Sequence, residues 1–217
     1  MTTTLIDQRL HRAALRLITL DVAVVATLAA LVWQNTAAST DSLDRSVARA
    51  LYAHPGTLVR SLFAAITFGG QPAVVGGLAV VVAVWTWRRL HHAVLTAFAP
   101  LAVAAASVIE RVLKTTVGRS RPATALLAHV SGKSFPSGHA TGAAAIATSV
   151  AFLVVAAQLP RRRIAIAGVA VYAAAISASR LVLGVHYLTD VIAGTAIGVG
   201  ATLAVAIAIT KSRRATS

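Results

Sequence analysis

At 217 residues, 57% hydrophobic and only 12% charged, with a mean hydropathy of +0.78, the chain is far more apolar than a soluble domain. It reads as one integral membrane domain, 1–217, whose net charge of +14 belongs to cations flanking membrane helices; nucleic acid is set aside as a partner. There is no cysteine, which excludes disulfides and thiolate metal sites.

A bilayer-spanning helix requires about 20 mostly apolar residues. The first such run is about Leu15–Trp33. Arg9, Arg12 and Arg16 precede it and "TAAS" follows, as in a secretory leader, but the run exceeds the roughly 7–15 residues of a leader's core and is read as a span. From about Asn35 to Gln71 the chain turns polar to amphipathic. Leu43, Val47, Ala50 and Leu51 recur at i, i+4, i+7 and i+8, which predicts one or two short helices on the outer membrane surface, broken at Pro55-Gly56. Interfacial packing is the preferred role for this segment over a lid. Five further spans follow, at about Pro72–Trp87, Ala93–Ile109, Ala140–Leu159, Ile164–Leu183 and Val191–Ile209. The second and third runs are short and are expected to extend into less apolar flanks. The fold class is therefore all-α, a polytopic bundle of six transmembrane helices with short interfacial helices between the first two.

Charge placement orients this bundle. With a cytoplasmic N-terminus, the inside segments hold Arg9, Arg12, Arg16, the "RRLHH" turn at 88–92, "PRRR" at 160–163 and "KSRR" at 211–214. These carry eleven of the 20 lysines and arginines, so both termini are expected to be cytoplasmic.

Three of the remaining cations, Lys114, Arg121 and Arg180, stand out in polar clusters that alternation of the spans brings to the outer face. "KTTVGRSRP" holds Lys114 and Arg121, "FPSGH" runs from Phe135 to His139, and "SRLVLGVHYLTD" contains Arg180, His186 and Asp190. A charge inside the bilayer costs about 2.5–3.5 kcal/mol on insertion scales, so ionisable groups at helix ends call for a partner or a task. A lone arginine there is usually a snorkelling anchor, and a lone histidine in a turn usually does nothing; the spacing argues otherwise. His186 and Asp190 are i, i+4, the pattern of an imidazole whose tautomer a carboxylate fixes. Ser137 can cap the fourth span, Gly138 lets backbone amides approach an anion, and His139 in the first turn faces the same anion. Lys114, Arg121 and Arg180 would neutralise phosphoryl oxygens. These residues describe a phosphate cradle, and leave open which histidine attacks and which passes a proton.

Lys114-x6-Arg121-Pro122, Pro136-Ser137-Gly138-His139 and Ser179-Arg180-x5-His186-x3-Asp190 resemble the three-part signature of the type 2 phosphatidic acid phosphatase superfamily, which includes membrane lipid phosphatases and soluble vanadium haloperoxidases. The match covers about 114–190 without departing from the pattern. The resemblance implies metal-independent transfer without a cofactor: His186 attacks phosphorus, Asp190 orients it, and His139 protonates the leaving group. Lys114, Arg121, Arg180, Ser137 and Gly138 hold the phosphate. It further implies a lipid phosphate substrate, with phosphatidate, phosphatidylglycerophosphate and polyprenyl diphosphate all suitable, in a bacterial inner membrane, where the charge placement is expected to turn the site outward. A phosphotransferase to a lipid acceptor would share the intermediate. A transporter is disfavoured because the span interiors hold almost no charge, and a vanadate-dependent oxidoreductase because those relatives are soluble.

Overall fold

The computed structural model describes residues 2–33, 38–128 and 130–215, with side chains over 15–32, 42–125 and 130–209. The helices are α1 Thr2–Trp33, α2 Ala38–Leu51, α3 Leu58–Phe68, α4 Pro72–Leu90, α5 Ala93–Val117, α6 Gly138–Ala156, α7 Arg162–Val182 and α8 Leu188–Ala215, with a short 3₁₀ turn at Ala123–Ala128. Six of them, all but α2 and α3, are long and apolar enough to cross a membrane. The expected spans are all present. α4 and α5 run past their apolar stretches to Leu90 and Val117, as their short runs required. The terminal cations Arg9, Arg12, Lys211, Arg213 and Arg214 lie outside the described side chains.

α6 is the central helix and packs against α4, α5, α7 and α8. Its sequence explains the position: Ala140, Ala143, Ala144, Ala145 and Ala147 are all buried, and small side chains let neighbouring backbones come close where lipid supplies no hydrophobic drive. On the facing side of α8, Gly194 and Gly198 are four apart. A Cβ at either would collide with the backbone oxygens of Ser137 and Thr141, so α8 lies directly on the first two turns of α6. That contact places the N-termini of α6 and α8 side by side.

The polar segment forms two helices, α2 and α3, separated where Pro55-Gly56 interrupts, with Gly56 at φ 84°. The apolar residues of α2 divide between the bundle and its outside. Val47 packs into a cluster with Ala140, Leu181 and Val191, whereas Leu43 and Leu51 remain exposed. The one fully buried side chain among those described in α2 is Asp44. α2 therefore seats a buried carboxylate beside its apolar contact.

Candidate active site

Each cluster reaches the site by a local device. α5 ends at Gly118, left-handed at φ 67°, whose N–H bonds the carbonyl of Lys114. Only glycine adopts this cap without strain. It leaves Lys114 on the last helical turn and sends Arg119 and Arg121 across the bundle. Lys114 Nζ pairs with Glu110 Oε1 at 2.5 Å, and both stand over Gly138, where a Cβ would meet Glu110 at 3.0 Å and Lys114 Nζ at 3.9 Å. A side chain there would press on the Glu110 carboxylate, so glycine leaves this approach open.

The second cluster opens α6. Ser137 occupies the N-cap position, as expected, but its side chain makes no capping bond. Its backbone N–H instead donates to Asp190 O at 3.0 Å, and its fully buried Oγ has no protein partner. Arg180 is also buried. It donates through Nη1 to Thr67 Oγ1 in α3, while its Nε is unpartnered. An unsatisfied buried polar atom is costly, on the order of 1–3 kcal/mol, so Ser137 Oγ at the N-terminus of α6 and Arg180 Nε in the last turn of α7 point to a ligand that supplies acceptors. His139 sits in the first turn of α6 beneath Gly70 in the α3–α4 turn, where a Cβ would strike His139 Cδ2.

The third cluster is the turn from α7 to α8. The N–H groups of Val185 and His186 donate to Arg180 O at 3.1 and 3.3 Å, and Gly184 takes φ 66°. α8 begins at Leu188, so His186 lies in the turn preceding the helix, and Asp190 in the first helical turn reaches back to it. His186 Nδ1 is 3.4 Å from Asp190 Oδ2, a loose contact of the kind that tightens when substrate binds. The same Oδ2 accepts from Ser134 Oγ at 2.5 Å and from the N–H of Tyr187 at 2.9 Å, a link from the third helical position back to the cap. The opposite ring nitrogen, Nε2, is 3.0 Å from Arg121 Nη1. Guanidinium is donor-only, so this network assigns Nε2 the lone pair and Nδ1 the proton.

Electrostatics agree with that assignment. Burial pushes His186 down to about 4, with the charges of Arg121 and Arg180 acting in the same direction and Asp190 opposing. The imidazole is therefore neutral at neutral pH. Burial also lowers Arg121, against the opposing influence of Asp190 and Glu110. Arg121 further bonds the carbonyls of Ser131, Gly132 and Val185 at 3.2, 3.1 and 2.8 Å, which fixes two loops around its guanidinium.

Residues 95–214 match the family model of the PAP2 superfamily, more than half the chain. The chain belongs to that superfamily. This PAP2 chain is 37% identical over 95 residues to phosphatidylglycerophosphatase B of Bacillus subtilis, covering 42% of the chain and 46% of that protein. It is 31% identical over 121 residues to a lipid A 1-phosphatase of Rhizobium etli, covering 51% and 49%. The PAP2 chain thus spans about half the length of the curated relatives it matches. Among solved structures, a transmembrane PAP2 type phosphatidylglycerolphosphate phosphatase from Bacillus subtilis superposes with a TM-score of 0.77 at 24% identity, covering 91% of this chain and 96% of that one. Aquifex aeolicus LpxE gives 0.60 at 25% identity, covering 76% and 93%. The all-helical transmembrane fold is the one those structures share.

All eight residues singled out from sequence lie at this end of the bundle: Lys114, Arg121, Ser137, Gly138, His139, Arg180, His186 and Asp190. Four participants were missed. Ser134 precedes the quoted "FPSGH", Glu110 carried an i, i+4 signal to Lys114, Arg119 lies inside the quoted "KTTVGRSRP", and Asp44 lies about seventy residues upstream with no motif around it.

Proposed function

We propose that this membrane protein is a lipid phosphate phosphatase acting through a phosphohistidine. The observation that supports it most is the His186 ring, held between a carboxylate at Nδ1 and a guanidinium at Nε2, together with the unpartnered polar atoms of Ser137 and Arg180. In the first step, Arg121 transfers its hydrogen bond from Nε2 to a phosphoryl oxygen. The freed lone pair then attacks phosphorus, the N–P bond forms, and the P–O bond to the lipid breaks. His139 gives its proton to the departing oxygen. In the second step His139 takes a proton from water, whose oxygen attacks phosphorus; the N–P bond breaks and inorganic phosphate leaves. Lys114, Arg121, Arg180 and the N-terminus of α6 balance the phosphoryl charge throughout.

Those anion-facing groups are cations and N–H donors, and among the described residues no group of three or more His, Asp or Glu converges as metal ligands would. Purified protein is therefore expected to release phosphate from a panel of phosphatidate, phosphatidylglycerophosphate and polyprenyl diphosphate equally well in excess EDTA. Orthovanadate should inhibit by occupying the cradle. Loss of activity in EDTA that magnesium restores would overturn the metal-independent scheme, and transfer to a lipid acceptor without phosphate release would identify a phosphotransferase.

The positive-inside distribution supports a site on the outer face of a bacterial plasma membrane, with cytoplasmic termini. Ser131 lies exposed in the site-side loop and Arg162 exposed at the start of α7. Since the chain lacks cysteine, Ser131→Cys should react with a membrane-impermeant thiol reagent in intact cells, and Arg162→Cys only after permeabilisation. The reverse labelling would place the chemistry at the inner leaflet.

A further inference from the structure

An outer helix that merely covered the bundle would seat apolar side chains, yet α2 buries a carboxylate. Asp44 Oδ2 accepts from Arg119 Nη2 at 2.8 Å and from Thr189 Oγ1 at 2.6 Å, while its Oδ1 accepts from the N–H of Thr189 at 3.1 Å. Arg119 Nη1 in turn donates to Thr189 Oγ1 at 2.7 Å and to Asp190 Oδ1 at 2.8 Å. The guanidinium carbon lies 4.0 Å over the ring of Tyr187. One guanidinium thus joins two fully buried carboxylates, one from α2 and one from the nucleophile's own partner. Burial works against the charge of Arg119, but Asp190 and Asp44 more than offset it and hold the guanidinium protonated.

Stability alone is a poor account of this arrangement, since buried ion networks are often no better than apolar packing. Its geometry, by contrast, bears on the reaction. Because Arg119 takes Oδ1 of Asp190, only Oδ2 is left to face Ser134 and His186, so the carboxylate's rotation is fixed. α2 also grips the nucleophile's turn at both ends. Just past the helix, the N–H of Ala53 donates to Val182 O at 2.9 Å, where α7 ends, and Asp44 holds Thr189, where α8 begins. His186 lies between these two clamps.

We propose that α2 is a strut of the catalytic apparatus, in which Asp44 and Arg119 are positioning residues that fix Asp190 and the turn carrying His186. This rests on the phosphatase reading above. Both residues bond Thr189, and Arg119 bonds Asp190, so they should govern the rate of transfer and not the capture of phosphate. In the full-length protein, Asp44→Asn keeps the shape of the side chain and removes its charge. We expect kcat to fall about 10–100-fold, the size of loss seen when the hydrogen-bond partners of metal-ligating side chains are removed, with KM and the orthovanadate inhibition constant within about threefold of wild type. Asp44→Glu, which restores the charge, should recover part of kcat.

An unchanged kcat in Asp44→Asn would overturn the proposal. So would a loss of kcat matched by an equal loss of vanadate-binding sites, which would make the helix a support for folding only. Should Asp44→Asn yield no folded protein, Thr189→Val decides, since it removes one donor to Asp44 while keeping the side-chain shape. A severalfold lower kcat with intact vanadate binding is expected there, and wild-type kcat would sink the idea. A wild-type protein that turned over none of the lipids would instead remove the reading of the site, and the strut with it.

Discussion

His186→Ala is expected to lower turnover by on the order of 10⁴–10⁶-fold while leaving the folded protein intact. The proposed reaction passes through an N–P bond at His186 Nε2, and no other described imidazole has a carboxylate on one ring nitrogen and a guanidinium on the other. With a substrate labelled in its phosphate, rapid quenching should trap an alkali-stable, acid-labile label on the wild-type chain and none on the variant. Near wild-type turnover in His186→Ala would end the covalent mechanism. Asp190→Asn keeps the size of the side chain but can present an amide where the carboxylate accepted, which disturbs the tautomer. A loss on the order of 10⁴-fold is expected, leaving a small residual rate. The depressed pKa of His186 adds a second readout. A group with a pKa of about 4 is still about nine-tenths neutral at pH 5, whereas an ordinary histidine would be almost fully protonated. The attacking form is the neutral one, so activity is lost as pH falls, and the acid limb of the single-turnover rate should lie well below pH 6.5. A midpoint at the ordinary histidine value would remove His186 from the role of a buried, neutral nucleophile.

Arg121→Lys is expected to reduce kcat/KM by on the order of 10²–10³-fold, equivalent to about 2.7–4 kcal/mol of transition-state stabilisation. The substitution keeps a positive charge but loses the planar fork. Arg121 uses that fork to bond the carbonyls of Ser131, Gly132 and Val185 while presenting Nη1 at the attacking nitrogen, and a single ammonium cannot reproduce those directions together. Because the guanidinium is to follow the phosphoryl oxygens into the transition state, orthovanadate affinity should fall in parallel with kcat/KM. A variant that kept wild-type kcat/KM would assign Arg121 to loop support alone. Comparing it with Asp44→Asn separates the two kinds of residue, since loss of the strut should spare vanadate affinity and loss of the cradle should not.

The amino-acid sequence by itself determined the six spans, because about 20 apolar residues in a row have few stable places except a bilayer. It also pointed to the proposed phosphate cradle, because Lys114, Arg121, Ser137, Gly138, His139, Arg180, His186 and Asp190 lie in short motifs at span ends, and strict alternation of six spans carries all of them to one face. Local spacing had no means of reporting contacts made across the bundle. The periodicity of α2 marked Leu43, Val47, Ala50 and Leu51 as the apolar face of a surface helix, but only the tertiary structure showed Asp44 buried. Ser137 had the identity of a helix cap, and only the fold showed its Oγ, like Arg180 Nε, buried without a partner. Arg119 stood in plain view two residues before Arg121. Its role was decided by the ends of α2 and α8, which bring Asp44 and Asp190 to the two sides of its guanidinium. The physical reason is range: hydrophobic periodicity and motif spacing act over one or two helical turns, whereas a buried charge is stabilised by whatever distant group the packing of the bundle places within about 3 Å of it.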